Sequence, residues 1–562
     1  MLSRTLFVFD RLLSMSCFYG MVDIYYNRKL GKRMTRTRET DRSELYKGIE
    51  AIADDLRGSV DGWDFKQYVL GFLFYRYISE RLRDDINKKE IEGGAEETFD
   101  YKDLSDEAVE LEPEDDEEIS DKEDIVDTYG FFIKPSHLFH NVVERASETD
   151  DLNVELREIF DSIIESSIGT KSEDNLKGLF DDIDTNSTKL GGTVAERNKR
   201  LVDILNGINS INFGDYGDRK IDLFGDAYEH LMAMYAKNAG RSGGEYFTPQ
   251  EVSELLTKLS LNGRTKVNKV YDPTCGSGSL LLQSAKILGD DGVEDGYFGQ
   301  ELNYTTYNLC RINMFLHNIG YEKFTIAHGD TLKNHLLKSK EPFDVIVSNP
   351  PYSIKWDSDD DATLKNDSRY TPAGVLAPKS KADLAFVMHI LSVLSEKGIA
   401  SVVSFPGVLY RGGREKTIRE YLVKNSFVDA IIELPSDLFY GTSISTCIMV
   451  LRKDKTDDKV TFIDASADFV KVTNANKLSD KNIADILAYY QNGEDVDHKV
   501  RRVGKDEIEK HDYDLSVSTY VEKEDLREII DIDELNNQIN SVVGRIDTLR
   551  DEINAIVGEI NG

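Results

Sequence analysis

Phe343-Asp344-Val345-Ile346-Val347-Ser348-Asn349-Pro350-Pro351-Tyr352 runs an apolar strand into a stiff polar tip. Val345, Ile346 and Val347 read as a strand buried on both faces, the pattern of a parallel sheet. The tetrapeptide Asn349-Pro350-Pro351-Tyr352 then falls at the strand's carboxyl end, where open α/β sheets bind their ligands. Two consecutive prolines have fixed φ and no N–H, so the tip offers carbonyl acceptors without competing donors. Asn349 adds a side-chain carbonyl and Tyr352 a flat ring. Such a tip can accept both hydrogens of an exocyclic –NH2 while stacking on the ring that bears it. The lone pair of that amine is delocalised and unreactive. Two acceptors on its hydrogens favour a more tetrahedral nitrogen and aim the lone pair at an electrophile. A Pro-Pro turn after a buried strand accounts for the same residues structurally; the neighbouring motifs decide against it.

Strands and helices alternate on both sides of this stretch. Upstream, strands are expected near 269–271, 297–299 and 324–327, with helices at 278–287 and 304–317. Downstream come helices at 381–394 and 414–423 and strands at 399–405, 428–434 and 446–451, which close the series. This is a doubly wound α/β domain.

Three upstream strands each end in an acid. After the first comes Asp272-Pro273-Thr274-Cys275-Gly276-Ser277-Gly278-Ser279-Leu280. Gly276 and Gly278 allow a tight turn and close approach of a ligand at a helix N-terminus. No Gly-Lys-Ser/Thr follows, so this is not a Walker loop, and Leu281 stands where the third glycine of GxGxxG belongs. Asp272 suits a ligand with an ammonium group rather than a pyrophosphate. Glu301, after the second strand, suits both ribose hydroxyls. Asp330, after the third, can accept from an adenine amino group. Singly each is an ordinary surface carboxylate; together they describe a pocket for S-adenosylmethionine.

Before these motifs lies Gly240-Arg241-Ser242-Gly243-Gly244-Glu245-Tyr246-Phe247-Thr248-Pro249-Gln250-Glu251. Thr248 reads as an N-cap, Pro249 as the first helical residue and Glu251 as the partner in a capping box. A glycine-rich loop thus delivers Tyr246, Phe247 and Thr248 to a helix N-terminus. An amphipathic helix is expected over 221–236. From about residue 41 to 211 the pattern is helical, with Leu45, Ile49, Ile52 and Leu56 on one face. A turn at Gly62-Trp63-Asp64 leads into an aromatic-rich buried helix at 65–78. The acidic stretch 90–127 reads as a solvated loop or insertion. At the chain end, Ile532, Leu535, Ile539, Val542, Ile546, Leu549, Ile553, Ile556 and Ile560 recur every three or four residues, a coiled-coil seam.

At 562 residues the chain spans about three or four domains. Its 40% hydrophobic and 31% charged residues are those of a soluble globular protein. A net charge of −34 argues against a chain that grips nucleic acid alone. Cys17, Cys275, Cys310 and Cys447 are scattered without a CxxC pair, which suggests neither a disulfide framework nor a zinc site and fits a cytoplasmic setting. Within segment 1–40, the residues from Met1 to about Arg33 are basic and aromatic and fit neither a membrane span nor a signal peptide. They read as a leader upstream of the true start, with Met34 opening a native-looking N-terminus.

Tyr246-Phe247-Thr248-Pro249, then Asp272-Pro273-Thr274-Cys275-Gly276-Ser277-Gly278, then Asn349-Pro350-Pro351-Tyr352, in that order, resembles the amino-group DNA methyltransferases that methylate adenine N6. More closely, the chain resembles the modification subunit of type I restriction–modification systems, from about Asp41 to the end. The resemblance extends over 405–413, 434–442 and the C-terminal helix. It implies an α/β doubly wound S-adenosylmethionine-dependent methyltransferase domain (212–515), an α-helical N-terminal domain (41–211) and a C-terminal coiled-coil-like helix for subunit assembly (516–562). It further implies that Tyr246, Phe247 and Thr248 line the methionine end of S-adenosylmethionine with Asp272, Thr274 and Gly276, in the loop completed by Ser277 and Gly278. Glu301 would hold the ribose and Asp330 the adenine. Asn349 and the Pro350 carbonyl would bind the target amine, and Tyr352 would stack on the base. No metal is implied. The partners implied are double-stranded DNA, a DNA-specificity subunit, a second modification subunit and a restriction subunit. The polar loop 353–381, with Lys355, Trp356, Lys365, Arg369, Lys379 and Lys381, reads either as a DNA-ordering loop or as a mobile surface loop. A methyltransferase for protein glutamine or for a base amine of ribosomal RNA uses a similar tetrapeptide. A catalytically silent scaffold subunit is the reading outside enzymes.

Overall fold

A computed structural model describes residues 43, 45–50, 62–110, 121–213, 224–228, 230–231, 248–439, 443–472, 475–523 and 532–561. The expected leader, Ile52 and Leu56 of the first helix, and Tyr246 and Phe247 lie outside the described residues.

The N-terminal part is helical. Its longest element, α1 (Gly62–Gly93), is one helix where a turn and a shorter helix were expected. It buries Tyr68, Phe72, Phe74, Tyr75 and Tyr77. Phe160 of α2 (Leu152–Glu165) meets Tyr75 edge-on at 5.4 Å. Each such buried ring stabilises the fold by roughly 1.5–3 kcal/mol. A third helix, α3 (Val194–Ser210), starts with a complete capping box between Thr193 and Glu196. The described flanks of the acidic stretch, 90–110 and 121–127, are not a simple solvated loop, and its most acidic run, 112–118, lies outside the described residues. Asp121–Tyr129 is helical, Tyr101 is buried, and Asp100 pairs with Arg83 and accepts from Asn87 Nδ2 at 3.1 Å. Among the described acids there, Asp103 and Glu110 also pair, with Lys102 and Lys134.

After α4 (Gln250–Leu261) the alternation begins: β1 (Val267–Asp272), α5 (Ser279–Leu288), β2 (Val293–Glu301), α6 (Tyr304–Leu316), β3 (Phe324–His328) and β4 (Phe343–Ser348). Then follow α7 (Asp383–Val393), β5 (Leu394–Ser404), α8 (Arg414–Lys424), β6 (Val428–Glu433) and β7 (Cys447–Arg452). The series does not close there. It continues with β8 (Lys459–Asp464), an antiparallel pair β9 (Val470–Val472) and β10 (Ala475–Lys477), α9 (Asp480–Asn492) and β11 (Val500–Gly504). The main sheet has nine strands in the order β11-β8-β6-β7-β5-β4-β1-β2-β3. β1 to β5 run parallel, and β7 is antiparallel to both β5 and β6.

Period-two alternation divides the core between the two faces. Val345 and Val347 of β4 join the cluster under the helical N-terminal part, and Ile346 joins the cluster under α7 and α8. The order β4-β1-β2-β3 sets the carboxyl ends of the four ligand-bearing strands side by side. β1 lies between β4 and β2, so the chain reverses its direction of winding there, where α/β sheets open a crevice.

Two buried polar fastenings join the helical part to the sheet. Arg311 of α6 donates through Nη1 to the carbonyls of Asp174, Asn175 and Lys177 at 3.0–3.1 Å, and it stacks 4.1 Å from the Tyr307 ring centroid. Asn308, one turn earlier, donates to the Gly178 carbonyl at 3.2 Å and to Asp182 at 3.0 Å. The last helix, α10 (Ile532–Asn561), is different. Its seam residues are exposed, from 43% at Leu535 to 77% at Ile560. No helix among the described residues is long and apolar enough to cross a membrane.

Candidate functional site

Asp272 is the last residue of β1 and is almost fully buried. Its Oδ1 accepts from the Thr274 N–H at 3.0 Å, closing a tight turn. Burial pushes its carboxyl up to about 7, and nearby Glu301 adds to the rise. Glu301 ends β2. Its two oxygens accept from the Gly276 N–H at 3.0 Å and the Asn303 N–H at 2.8 Å. Burial raises its pKa, and those backbone donors oppose the rise. Two acids in one crevice, each with its charged form disfavoured by burial, suit a ligand that brings positive charge.

The two glycines of the loop serve different ends. Gly276 has φ +53, and a Cβ there would meet nothing within 4 Å, so its left-handed backbone faces open space. Gly278 has φ +83, and a Cβ there would lie 2.8 Å from Cys310 Sγ. The first leaves room at the crevice; the second lets α5 start against α6. Ser277 between them is buried, and its carbonyl accepts from Asn313 Nδ2 at 2.9 Å.

Asp330 follows β3 by two residues and caps its own turn, accepting from the Leu332 N–H at 2.9 Å. Gln300 and Thr331, which the sequence did not single out, hold this turn together with Arg369. Gln300, buried beside Glu301, donates to the Asn334 carbonyl at 2.8 Å and accepts from the Leu336 N–H at 3.1 Å. Thr331 Oγ1 donates to the Pro273 carbonyl at 2.7 Å. Arg369 reaches in from the 353–381 loop and donates to the carbonyls of Thr331 at 2.6 Å and Leu332 at 2.8 Å. That loop is therefore packed rather than free. Trp356 is buried with its Nε1 donating to the Pro378 carbonyl at 3.1 Å, while Lys355, Lys365 and Lys379 stay on the surface. Strand alternation carried one signal: Gln300 points to the face opposite Glu301.

Asn349 follows β4 directly. Its Nδ2 donates to Thr248 Oγ1 at 3.1 Å, and its Oδ1 accepts from the Tyr352 hydroxyl at 2.7 Å. Pro350 is buried and Tyr352 is half-buried against the core under the helical part. Burial keeps the Tyr352 phenol protonated well beyond its ordinary range. Ser353 then takes a left-handed φ of +51, and its N–H donates to Asp383 Oδ1 at 3.0 Å. A non-glycine residue in that region is held there by its surroundings, a state common at functional sites. Thr274 Oγ1 lies 3.0 Å from Ser348 Oγ, so the glycine loop and the polar tip are stitched together.

Thr248 does not cap the following helix. α4 begins at Gln250 with Pro249 in the cap position and no side-chain cap bond. The hydroxyl that a capping box would use is engaged by Asn349, a contact 101 residues away in sequence. Of the thirteen expected site residues, eleven are described, and those eleven gather along the carboxyl edge of β4, β1, β2 and β3.

Comparison with known proteins follows the same outline. A family model described as N-6 DNA Methylase matches residues 219–529, and one described as HsdM N-terminal domain matches 45–208. The type I restriction enzyme MpnII methylase subunit of Mycoplasma pneumoniae is 46% identical over 526 residues, covering 91% of this chain and 95% of that protein. The MjaVII methylase subunit of Methanocaldococcus jannaschii is 30% identical over 537 residues, 92% of this chain and 86% of its own. The solved methyltransferase subunit of a type I restriction–modification system from Streptococcus thermophilus superposes with a TM-score of 0.75 at 34% identity. It covers 86% of this chain, and all of that chain is matched.

Proposed function

Because the chain belongs to the N-6 DNA methylase family, among the methylase subunits of type I restriction enzymes, we propose that it transfers a methyl group from S-adenosylmethionine to N6 of an adenine flipped out of duplex DNA. The observation that carries this is the juxtaposition of buried Asp272 and half-buried Glu301, both with raised carboxyl pKa, with an Asn-Pro-Pro-Tyr tip on adjacent strand ends. When bound, S-adenosylmethionine supplies an electrophilic methyl on a sulfonium centre. Asp272, Thr274 and residues 246–248 take its methionine end. Gly276, Ser277 and Gly278 let the backbone approach closely, Glu301 takes the ribose hydroxyls and Asp330 the adenine edge. The open space beside Gly276 fits that assignment.

On the acceptor side, Asn349 and the Pro350 carbonyl hold the two hydrogens of the target amine, and Tyr352 stacks on the base. Flipping the base costs a few kcal/mol. Stacking on Tyr352 returns ~1–3 kcal/mol of it. The chemistry is then mostly alignment of the amine lone pair with the methyl, for which pre-set geometry is the main resource. The domain limits follow: helical 41–211, methyltransferase 212–515 and assembly helix 516–562. The working enzyme joins this subunit to a second copy and to a specificity subunit, and a restriction subunit completes the restricting assembly. The acidic balance of the chain and the exposed seam of α10 support a subunit that does not grip DNA alone.

The test is transfer from labelled cofactor to DNA bearing the system's own site, with the specificity subunit present. Label is expected on N6 of adenine. Asn349→Ala is expected to lower transfer by more than about a hundredfold while cofactor affinity measured by calorimetry stays within a few-fold of wild type. Full activity in that variant would overturn the mechanism. Label on ribosomal RNA or on a protein glutamine instead of DNA would overturn the substrate.

A further inference from the structure

Asn349 can face its substrate in two ways. With its carbonyl outward it accepts from an amine; flipped by 180° it presents an NH2 that repels one. Both of its neighbours here, Thr248 and Tyr352, are hydroxyls, and each can donate or accept. Their chemistry still breaks the tie. A phenol oxygen shares its lone pair with the ring, so it donates well and accepts poorly. An aliphatic hydroxyl accepts well. The observed pairing follows that order: Tyr352 O–H to Asn349 Oδ1 at 2.7 Å, and Asn349 Nδ2 to Thr248 Oγ1 at 3.1 Å.

We propose, resting on the function given above, that Thr248 is a positioning residue for methyl transfer: its hydroxyl holds the Asn349 amide with the carbonyl turned to the target amine. A carbonyl oxygen has two lone pairs. Tyr352 takes one, and the other is left for the amine, so the base can enter without breaking the pair. Thr248 is buried, and its side chain contacts the acceptor tip rather than capping α4. Its proposed place beside the cofactor's methionine end puts it between donor and acceptor. Ser348 and Thr274 make a second hydroxyl link across the same seam. The tip is also fixed at its far end, where Asp383 holds the Ser353 N–H. With both ends of the tip held, Thr248 as acceptor and Tyr352 as donor together oppose the amide flip.

The experiment uses the full complex with its specificity subunit, and cofactor at saturation. Thr248→Val keeps the shape and removes the acceptor. It is expected to lower kcat roughly tenfold, the worth of one hydrogen bond, with cofactor Kd unchanged within about twofold. Thr248→Ser is expected to restore kcat to near wild type, which a purely packing role would not predict. Thr248→Ala gives the same readout if valine packs poorly. Wild-type kcat in Thr248→Val would overturn the inference. So would a variant whose cofactor Kd rises tenfold while kcat at saturation is unchanged, which makes Thr248 a cofactor contact only. Either result leaves the proposed reaction standing if Asn349→Ala is inactive in the same assay; an active Asn349→Ala removes both.

Discussion

The helical region before the sheet is fastened to it by buried polar atoms, whereas α10, after it, keeps an apolar seam in solvent among the described residues. Arg311 gives its guanidinium to three carbonyls of the 174–177 turn, and Asn308 adds the next one. Such contacts demand an exact partner, because each buried donor and acceptor must be matched or costs its desolvation. A seam of Ile, Leu and Val asks only for another apolar stripe. The first kind of joint belongs within one chain, where the partner is always present. The second is what a chain shows when its partner is another molecule.

The largest expected effect breaks the first joint. Arg311→Met keeps the volume but strands three carbonyls and the Asn308 side chain. It should cost about 3–5 kcal/mol, seen as a lower urea midpoint and earlier proteolytic release of the helical region. An unchanged midpoint would mean that packing alone holds the two parts. Asn308→Ala should cost less, roughly 1–2 kcal/mol. Together with Arg311→Met the loss should be clearly less than additive, since Arg311 Nη2 donates to Asn308 Oδ1. Strict additivity would show that the two residues act independently. The smallest effect on the isolated chain is expected from deleting residues 532–562: its melting temperature and cofactor affinity should hardly move, while association with the specificity subunit weakens severalfold or more. Lost cofactor affinity with an intact complex would reverse the contrast.

How far the sequence reached varied by element. The acids at 272, 301 and 330 were legible because each follows a short apolar run, and a run that stops at an acid marks a strand end. β8 and β11 were missed. Val500-Arg501-Arg502-Val503-Gly504 looks like a charged surface segment until its antiparallel pairing with β8 is known. The capping signal at Thr248 was misread because local rules count hydrogen bonds within four residues, and Asn349 competes from far along the chain. The packed role of Arg369, in a loop that reads either as DNA-ordering or as a mobile surface loop, is hidden for the same reason: its carbonyl partners at 331 and 332 are remote in sequence.

By itself the sequence determined the alternation of strands and helices, the acids at their ends and the polar tip, because apolar period and residue chemistry are local properties. Only the tertiary structure decided the strand order that sets β4 beside β1, the hydroxyls that orient Asn349 and the burial that lifts Asp272 toward neutrality. Those depend on which distant groups share one crevice, and distance along a chain does not encode distance in space.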